Sequence, residues 1–139
     1  MRFIEGSFYM EYDWNLGKAI SMFFEKLKDK KIVGARCKEC NKVYVPQREV
    51  CPVCLKRNEL GVEVKDEGIV VSFTEIKMKF PNQPKEIPYK LGLIKLDGAD
   101  TNLLHVVQEN VKIGDRVRVK WKEERIGDIF DIEYFENIS

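Results

Sequence analysis

Four cysteines are the residues of this sequence best suited to chemistry, and all four lie in one short stretch. They form two C-x2-C pairs separated by ten residues: Cys37, Cys40, Cys51 and Cys54. Two such pairs present four thiolates from facing turns, which is the tetrahedral arrangement that Zn²⁺ prefers. We predict one structural Zn²⁺ bound by these four side chains. A closed four-thiolate site leaves no coordination position for a substrate, so we assign it to folding and not to catalysis.

Other uses of the cysteines are weaker alternatives. Iron in a rubredoxin-like site stays open, because the same four thiolates bind either metal. Rubredoxin-type knuckles usually have glycine after the second cysteine of each pair, where this chain has Asn41 and Leu55. Disulfides would suit a secreted chain, yet the N-terminus shows no signal peptide. A redox-active C-x-x-C would need a βαβ setting, and the flanking sequence does not have one.

An N-terminal arm with one amphipathic helix precedes the cysteines. Asp13 is the predicted N-cap, and the apolar residues after it recur at helical spacing. They are Leu16, Ala19, Ile20, Phe23, Phe24 and Leu27. Aromatic residues crowd into the segment before the helix, and those we predict to bind a partner protein are Phe8, Tyr9, Tyr12 and Trp14. Packing of these side chains on the chain's own body is the alternative.

The C-terminal half, from Asp66 onward, has the alternating pattern of strands. The first strand has Ile69, Val71 and Phe73 on one face, and the phase of its apolar residues then changes near Thr74, which predicts a bulged, bent strand. Further strands are predicted at 89–96, at 103–107, after residue 115 and around residue 132. Five strands in about 70 residues predict a small closed barrel of the OB type, because a sandwich needs about seven strands.

The last two strands carry opposite charges on their outward faces. In the fourth strand, Val117, Val119 and Trp121 are predicted to face inward, and the outward residues are Arg116, Arg118, Lys120 and Lys122. In the fifth, the predicted inward residues are Phe130, Ile132 and Tyr134, with Asp131 and Glu133 between them. We predict that these two acids pair with those bases across the strands.

The pattern indicates no catalytic residues. The single histidine, His105, lies in an apolar strand, where we predict a half-exposed sheet face. The sequence has no second histidine that could act as the base for a Ser, Cys or Lys nucleophile, and it has no glycine-rich phosphate loop. Asp97, Asp100 and Asp128 flank glycines or turns, where aspartate is favoured for backbone reasons.

Charge argues against nucleic acid as the main partner. The 139-residue chain has a net charge of +1, and its segments 1–34, 35–65 and 66–139 carry 6 basic and 5 acidic, 7 and 4, and 11 and 14 side chains. A barrel half with more acids than bases is a poor electrostatic funnel. A module for single-stranded nucleic acid, with Phe73, Tyr89 and the basic row of the fourth strand forming a groove, is therefore the alternative function.

The order of these motifs resembles the DUF35 family, a rubredoxin-like zinc ribbon followed by an OB-fold. The resemblance lies in 34–40 (GARCKEC), Pro46 ahead of 51–54 (CPVC), 68–74 (GIVVSFT) and Pro88-Tyr89. It implies a mainly β fold with an N-terminal helical arm, a four-cysteine zinc ribbon and a five-stranded OB-fold barrel. We predict the arm and helix over 1–34, the ribbon over 35–65 and the barrel over 66–139.

The same resemblance implies a non-catalytic partner of acyl-CoA enzymes. Family members accompany thiolases, and one archaeal member is similar to a subunit that bridges acetoacetyl-CoA thiolase and HMG-CoA synthase at the head of the mevalonate route. CoA or acyl-CoA is the further ligand that this role admits, with Lys77, Lys79 and Lys90 as candidate contacts to its phosphates. No apolar run approaches the roughly 18 residues that cross a bilayer, so we expect a soluble, cytoplasmic protein.

Overall fold

The predicted helix is present from Gly17 to Lys28 and is called α1. The computed structural model describes Gly6 and residues 17–81, 83 and 85–139, so the predicted N-cap Asp13 lies outside the described residues. Ala19, Phe23 and Leu27 are buried along one face of α1, as the spacing predicts. Lys26 and Lys28 in the last turn place positive charge at the negative end of the helix dipole.

Within the described residues, eight strands form two sheets, as predicted for a ribbon followed by a barrel. A three-stranded sheet, in the order β2-β1-β3, contains β1 (Ile32–Arg36), β2 (Val43–Tyr44) and β3 (Glu59–Val64). A closed barrel, in the order β4-β5-β6-β8-β7, contains the other five strands. They are β4 (Glu67–Ile76), β5 (Tyr89–Leu96), β6 (Leu103–Val107), β7 (Arg116–Trp121) and β8 (Ile132–Asn137). Of the helices in the described ranges, none is long and apolar enough to cross a membrane.

The first barrel strand is bulged, but the bulge lies earlier in the strand than predicted. Val70 is fully buried, whereas Ile69 and Val71 are 41% and 42% exposed. The pairing of β4 with β5 shifts between Val70 and Ser72, so Val71 is the extra residue. The bulge is therefore present as predicted but lies a few residues before Thr74.

The last strand also differs from the predicted alternation. Val117 and Val119 of β7 are buried as predicted, but Phe130 is 40% exposed and Asp131 is buried. A one-turn 3-10 helix over Ile129–Asp131 and a bulge at the β7–β8 pairing displace the register, so that Phe135 is the buried aromatic residue of β8. The buried Asp131 carboxylate accepts hydrogen bonds from three successive backbone N–H groups, of residues 126–128.

Helix α1 packs at the junction of the two sheets. Phe23 and Leu27 belong to one apolar cluster that contains Ile32 and Val33 of β1 together with barrel residues such as Val70. One continuous core thus joins the helix, the ribbon and the barrel, and the burial of each large aliphatic or aromatic side chain contributes roughly 1.5–3 kcal/mol.

Hydrogen bonds also attach the ribbon directly to the barrel. The Val43 N–H donates to the Asp100 carboxylate at 2.8 Å, and the Asp100 N–H donates to the Val43 carbonyl at 2.8 Å. Beside them, the Thr101 hydroxyl accepts from the Val45 N–H at 2.8 Å and donates to the Val45 carbonyl at 3.0 Å. The loop between β5 and β6 therefore satisfies backbone groups of Val43 and Val45 at the edge of the ribbon sheet, with one backbone bond and three side-chain bonds.

Candidate functional site

The two cysteine pairs form matching turns, one on each side of the ribbon. In the first turn, the Asn41 N–H donates to the Cys37 carbonyl at 2.7 Å, and in the second the Leu55 N–H donates to the Cys51 carbonyl at 2.9 Å. The Cys40 N–H points at the Cys37 sulfur at 3.4 Å. The corresponding contact of the second turn has a length of 3.5 Å. Backbone N–H groups therefore face the sulfur that begins each pair, where they stabilise a thiolate.

The residues after the second cysteine of each pair adopt left-handed backbone conformations. Asn41 has φ 59° and Leu55 has φ 61°. Asparagine tolerates this conformation, but for leucine it costs roughly 1–2 kcal/mol. The side chain of Leu55 is 77% exposed, so burial does not offset that cost. The second turn is therefore strained.

The four sulfur atoms converge, all within 4.8 Å of one another. Tetrahedral ligands with Zn–S bonds of about 2.3 Å lie about 3.8 Å apart, so this spacing fits a zinc ion. Cys37 and Cys51 are buried, whereas Cys40 and Cys54 are partly exposed. The donor set thus supports a structural zinc, which would hold the two turns together.

Tyr44 of β2 contacts one of the four sulfur atoms. Its hydroxyl lies 3.4 Å from the Cys51 sulfur. The Cys54 N–H and then this hydroxyl lower the pKa of Cys51 to about 6. The same contact raises the pKa of Tyr44 to about 12. The contact between Cys40 and Cys54, 2.8 Å between sulfurs, is the main cause that raises the pKa of Cys54. The Cys54 N–H and the Tyr44 hydroxyl therefore favour the thiolate form of Cys51.

A buried glutamine fixes the ribbon to α1, and the sequence pattern did not indicate it. The Gln47 side chain donates to the Ala19 carbonyl at 2.8 Å and accepts from the Gly61 N–H. It thus spans from the first turn of the helix to β3, next to the second cysteine pair. Only its position just after Pro46, at the end of the predicted ribbon strand, could have pointed to it.

The three candidate CoA lysines lie in two parts of the barrel half, the segment after β4 and the strand β5. Lys77 and Lys79 are exposed in the segment after β4. Lys90 of β5 donates to the Glu109 carbonyl at 2.7 Å and lies 4.6 Å from the centre of the Phe73 ring. Its ammonium group therefore already has backbone and aromatic partners. The role of these lysines stays a prediction.

The predicted partner-binding aromatics, Phe8, Tyr9, Tyr12 and Trp14, lie outside the described residues. The helix that follows them lines an open apolar groove of about 430 Å³, together with β6 and the 3-10 turn. Leu104 on the barrel side of this groove is 57% exposed.

His105 is buried and not on a half-exposed face as predicted. Its Nδ1 accepts from the Val106 N–H at 2.8 Å, and its Nε2 lies 3.1 Å from the Ile129 carbonyl, to which it can donate. The rings of Phe130 and Phe135 meet it edge-on. Burial lowers the pKa of His105 below its usual value, so the neutral imidazole is a structural member of the barrel.

The basic row of β7 is neutralised at one end by acids that the sequence did not suggest. Arg116 pairs with Asp97 at 2.7 Å and with Glu67 at 3.4 Å, and Arg118 pairs with Glu67. The predicted partners Asp131 and Glu133 do not form these pairs. The Asp131 carboxylate instead accepts a hydrogen bond from the Gly127 N–H of its own loop. Two of the four basic residues of the alternative nucleic-acid groove, Arg116 and Arg118, are thereby paired with carboxylates, which disfavours that alternative.

Comparison with known proteins matches both halves of this architecture. Residues 24–59 match the family description "ChsH2, rubredoxin-like zinc ribbon domain", and residues 61–122 match "ChsH2, C-terminal OB-fold domain". The chain is 28% identical over 95 residues to a DUF35 domain-containing scaffold protein of Methanocaldococcus jannaschii, covering 66% of this chain and 67% of that protein.

Two further relatives extend the comparison. A probable enoyl-CoA hydratase alpha subunit of Thermomonospora curvata is 30% identical over 107 residues, covering 74% of this chain. The match spans only 33% of that subunit, so the chain corresponds to about a third of it. The crystal structure of a DUF35 protein from Sulfolobus solfataricus superposes with a TM-score of 0.67 at 29% identity, over 87% of this chain and 84% of that one. With the ribbon and the barrel matched in the same order, and the four-sulfur cluster inside the matched ribbon, the chain belongs to the DUF35 family.

Proposed function

We propose that this chain is a non-catalytic scaffold subunit of an acyl-CoA enzyme complex, with Cys37, Cys40, Cys51 and Cys54 binding one structural Zn²⁺. The observation that carries the proposal is the closed four-sulfur cluster inside a ribbon that is attached to the barrel on one side and to α1 on the other. Such a site supplies shape and folding energy and leaves no position for a reacting group. The scaffold names of several relatives support the same role.

The partner that we propose is a thiolase-type enzyme, and the most specific role is a bridge between acetoacetyl-CoA thiolase and HMG-CoA synthase. The name of the Thermomonospora relative supports association with CoA-using enzymes in general. In such a complex, Lys77, Lys79 and Lys90 are the proposed contacts to CoA phosphates. A scaffold that keeps two active sites close would shorten the path of a CoA-bound intermediate.

The proposed docking surface has two parts: the aromatic residues Phe8, Tyr9, Tyr12 and Trp14, and the apolar groove between α1 and β6. Aromatic side chains commonly anchor protein interfaces, and partly exposed apolar groups such as Leu104 extend the anchor. A groove of this kind accepts an apolar helix or loop of a partner enzyme.

Affinity purification of the tagged chain from its native cell, followed by mass spectrometry, tests the proposal. We expect a CoA-using enzyme to co-purify with the wild-type chain and to be lost with Leu104→Asp. The control is Ile113→Asp, because Ile113 is also an exposed aliphatic residue of the barrel half but does not line the groove. Recovery of no CoA-using enzyme with the wild-type chain would refute the scaffold role. Equal recovery with both variants would refute the groove as the docking surface.

A further inference from the structure

The outward basic row of β7, which continues to Lys122 just after the strand, has two halves with different electrostatic environments. Arg116 and Arg118 are paired with carboxylates, as described above. In contrast, Lys120 and Lys122 form no ion pair within residues 17–81, 83 and 85–139, and neither does Lys85 of the β4–β5 loop. These three ammonium groups therefore keep their charge available for an anion.

Two of these lysines, Lys85 and Lys120, lie close to the ring of Tyr134. The Lys85 ammonium lies 5.8 Å from the centre of the Tyr134 ring, and that of Lys120, its cross-strand neighbour, lies 5.6 Å away. A cation over a ring face gains roughly 0.5–1 kcal/mol at exposed sites, so Tyr134 orients both charges. The loop before β5 and the strand β7 thereby present positive charge to the same place.

Two cavities meet at Lys85 and Tyr134, which line both of them. One, of about 220 Å³, has a floor of buried Val106 and Ile132 and is bordered by Lys85, Lys122, Phe130, Glu133 and Tyr134. The other, of about 370 Å³, is lined by Lys85, Gln108, Glu109, Asn110 and Tyr134. The smaller cavity therefore combines an apolar floor, two aromatic rings and cations, and the larger one adds amide groups.

This combination selects among anions. A bare phosphate would use the lysines but leave the apolar floor and the exposed Phe130 ring without contact. A long polyanion would extend beyond the three lysines over a barrel half that carries 11 basic and 14 acidic side chains. A small ligand with one planar ring and a few phosphates fits both constraints, because bases stack on aromatic rings and phosphates pair with lysine.

We propose that this groove between the β4–β5 loop and β8 binds a nucleoside diphosphate, with its base in the cavity of Phe130 and Tyr134 and its phosphates on Lys85, Lys120 and Lys122. The site is separate from Lys77, Lys79 and Lys90, and it does not depend on the scaffold role. The ligand can be a free nucleotide or the nucleotide end of a larger molecule such as CoA. Both sources share the chemistry that the groove recognises.

Calorimetry and amide NMR with the full chain test this assignment, with ADP, CoA, inorganic phosphate and a short single-stranded RNA as separate probes. We expect ADP to bind with a Kd tighter than about 1 mM and to shift amides near Tyr134 and Lys85. CoA binding as tightly as ADP identifies the larger molecule as a source, and ADP binding alone identifies free nucleotide; both support the assignment.

Charge-removing variants locate the site. Because a charge-assisted hydrogen bond is stronger than a neutral one, Lys85→Ala and Lys120→Ala should each weaken ADP binding roughly tenfold. Lys95→Ala is the matched control, since Lys95 is an exposed lysine of β5 outside both cavities. All three positions are exposed or on the surface, and dispersed NMR spectra would verify that the variants fold.

Four outcomes would overturn the proposal. They are no ADP binding at about 1 mM, equal binding of phosphate and ADP, much tighter binding of the RNA than of ADP, and equal weakening by the Lys95 variant. The second outcome would remove the nucleoside from the assignment, and the third would reinstate a nucleic-acid groove.

Discussion

Replacing Gln47 with methionine should lower the free energy of unfolding by about 2 kcal/mol. Methionine keeps the length and volume of the side chain but removes both hydrogen bonds, to the Ala19 carbonyl and from the Gly61 N–H. Each neutral hydrogen bond contributes about 1 kcal/mol. The Gly61 residue is exposed, so its freed N–H can reach water, and we add no further cost for an unpaired donor.

Gln47→Glu should be worse than Gln47→Met at neutral pH. The introduced carboxylate can still accept from Gly61, but it faces the Ala19 carbonyl oxygen in a site where only 1% of the side chain is exposed. Burial raises the pKa of such a carboxyl in the folded state above its unfolded value. The Gln47→Glu variant should therefore keep its stability at low pH and lose it as the pH rises through the folded-state pKa of the new carboxyl. Its deficit in free energy of unfolding relative to the wild type should grow between pH 5 and 8.

Urea unfolding followed by circular dichroism, in the presence of zinc, measures these differences. The loss for Gln47→Met corresponds to a fall in Tm of about 6 °C in a chain of this size. Gln83→Met serves as the control. Gln83 donates to the Met78 carbonyl at 2.7 Å in an exposed loop, where water can replace it, and makes only a longer bond of 3.3 Å to the Tyr89 hydroxyl. A loss below about 0.5 kcal/mol for Gln47→Met, or a deficit of Gln47→Glu that shrinks with rising pH, would refute the clamp.

Four further predictions follow from the ribbon, the barrel and the arm. Elemental analysis should find one zinc per wild-type chain and none in Cys51→Ser, whose ribbon should melt before the barrel; less than half an equivalent in the wild type, or the red colour of a ferric tetrathiolate, would contradict this. Leu55→Gly should raise stability by about 0.5–1 kcal/mol by relieving the left-handed leucine, and a loss of stability in chemical denaturation would argue against strain there. Because the pKa of His105 is lowered by burial, stability should fall as pH drops below about 6.5 and His105→Phe should flatten that slope; an NMR titration giving a folded-state pKa above this value would disprove it. Deleting residues 1–14 should weaken partner binding by about a hundredfold or more in a pull-down, whereas a large fall in Tm with full pull-down would show the arm to be structural.

Local patterns predicted the elements of the fold better than their contacts. The cysteine spacing indicated the ribbon, and alternation placed five strands close to where they lie, because both signals are contained in neighbouring residues. The position of the bulge in β4 was missed because it depends on which β5 residues the strand pairs with. Likewise, Asp97 and Asp100 looked like ordinary turn residues, but they bind Arg116 and Val43, which are distant in the sequence.

The lysine cluster around Tyr134 shows the same limit. Lys120 and Lys122 were predicted to face outward, but only the closed barrel brings Lys85 of another loop to the same ring. The partnered and unpartnered halves of the β7 row are indistinguishable in sequence, since both alternate basic and apolar residues. Their difference arises from Glu67 and Asp97 on neighbouring strands and loops.

The pairing of the Asp100-Thr101 loop with β2 determines how this protein can associate through its backbone. An uncovered edge strand is a template on which another chain can add a strand, which leads to assembly or aggregation. Because the Asp100-Thr101 loop covers β2, the remaining edge of the ribbon sheet within the described residues is β3, where the Gly61 N–H already donates to Gln47. Glu59 and Glu63 place negative charge along that edge, which discourages self-association of identical copies. A partner that extends this sheet would have to approach β3 and carry basic side chains on its own strand.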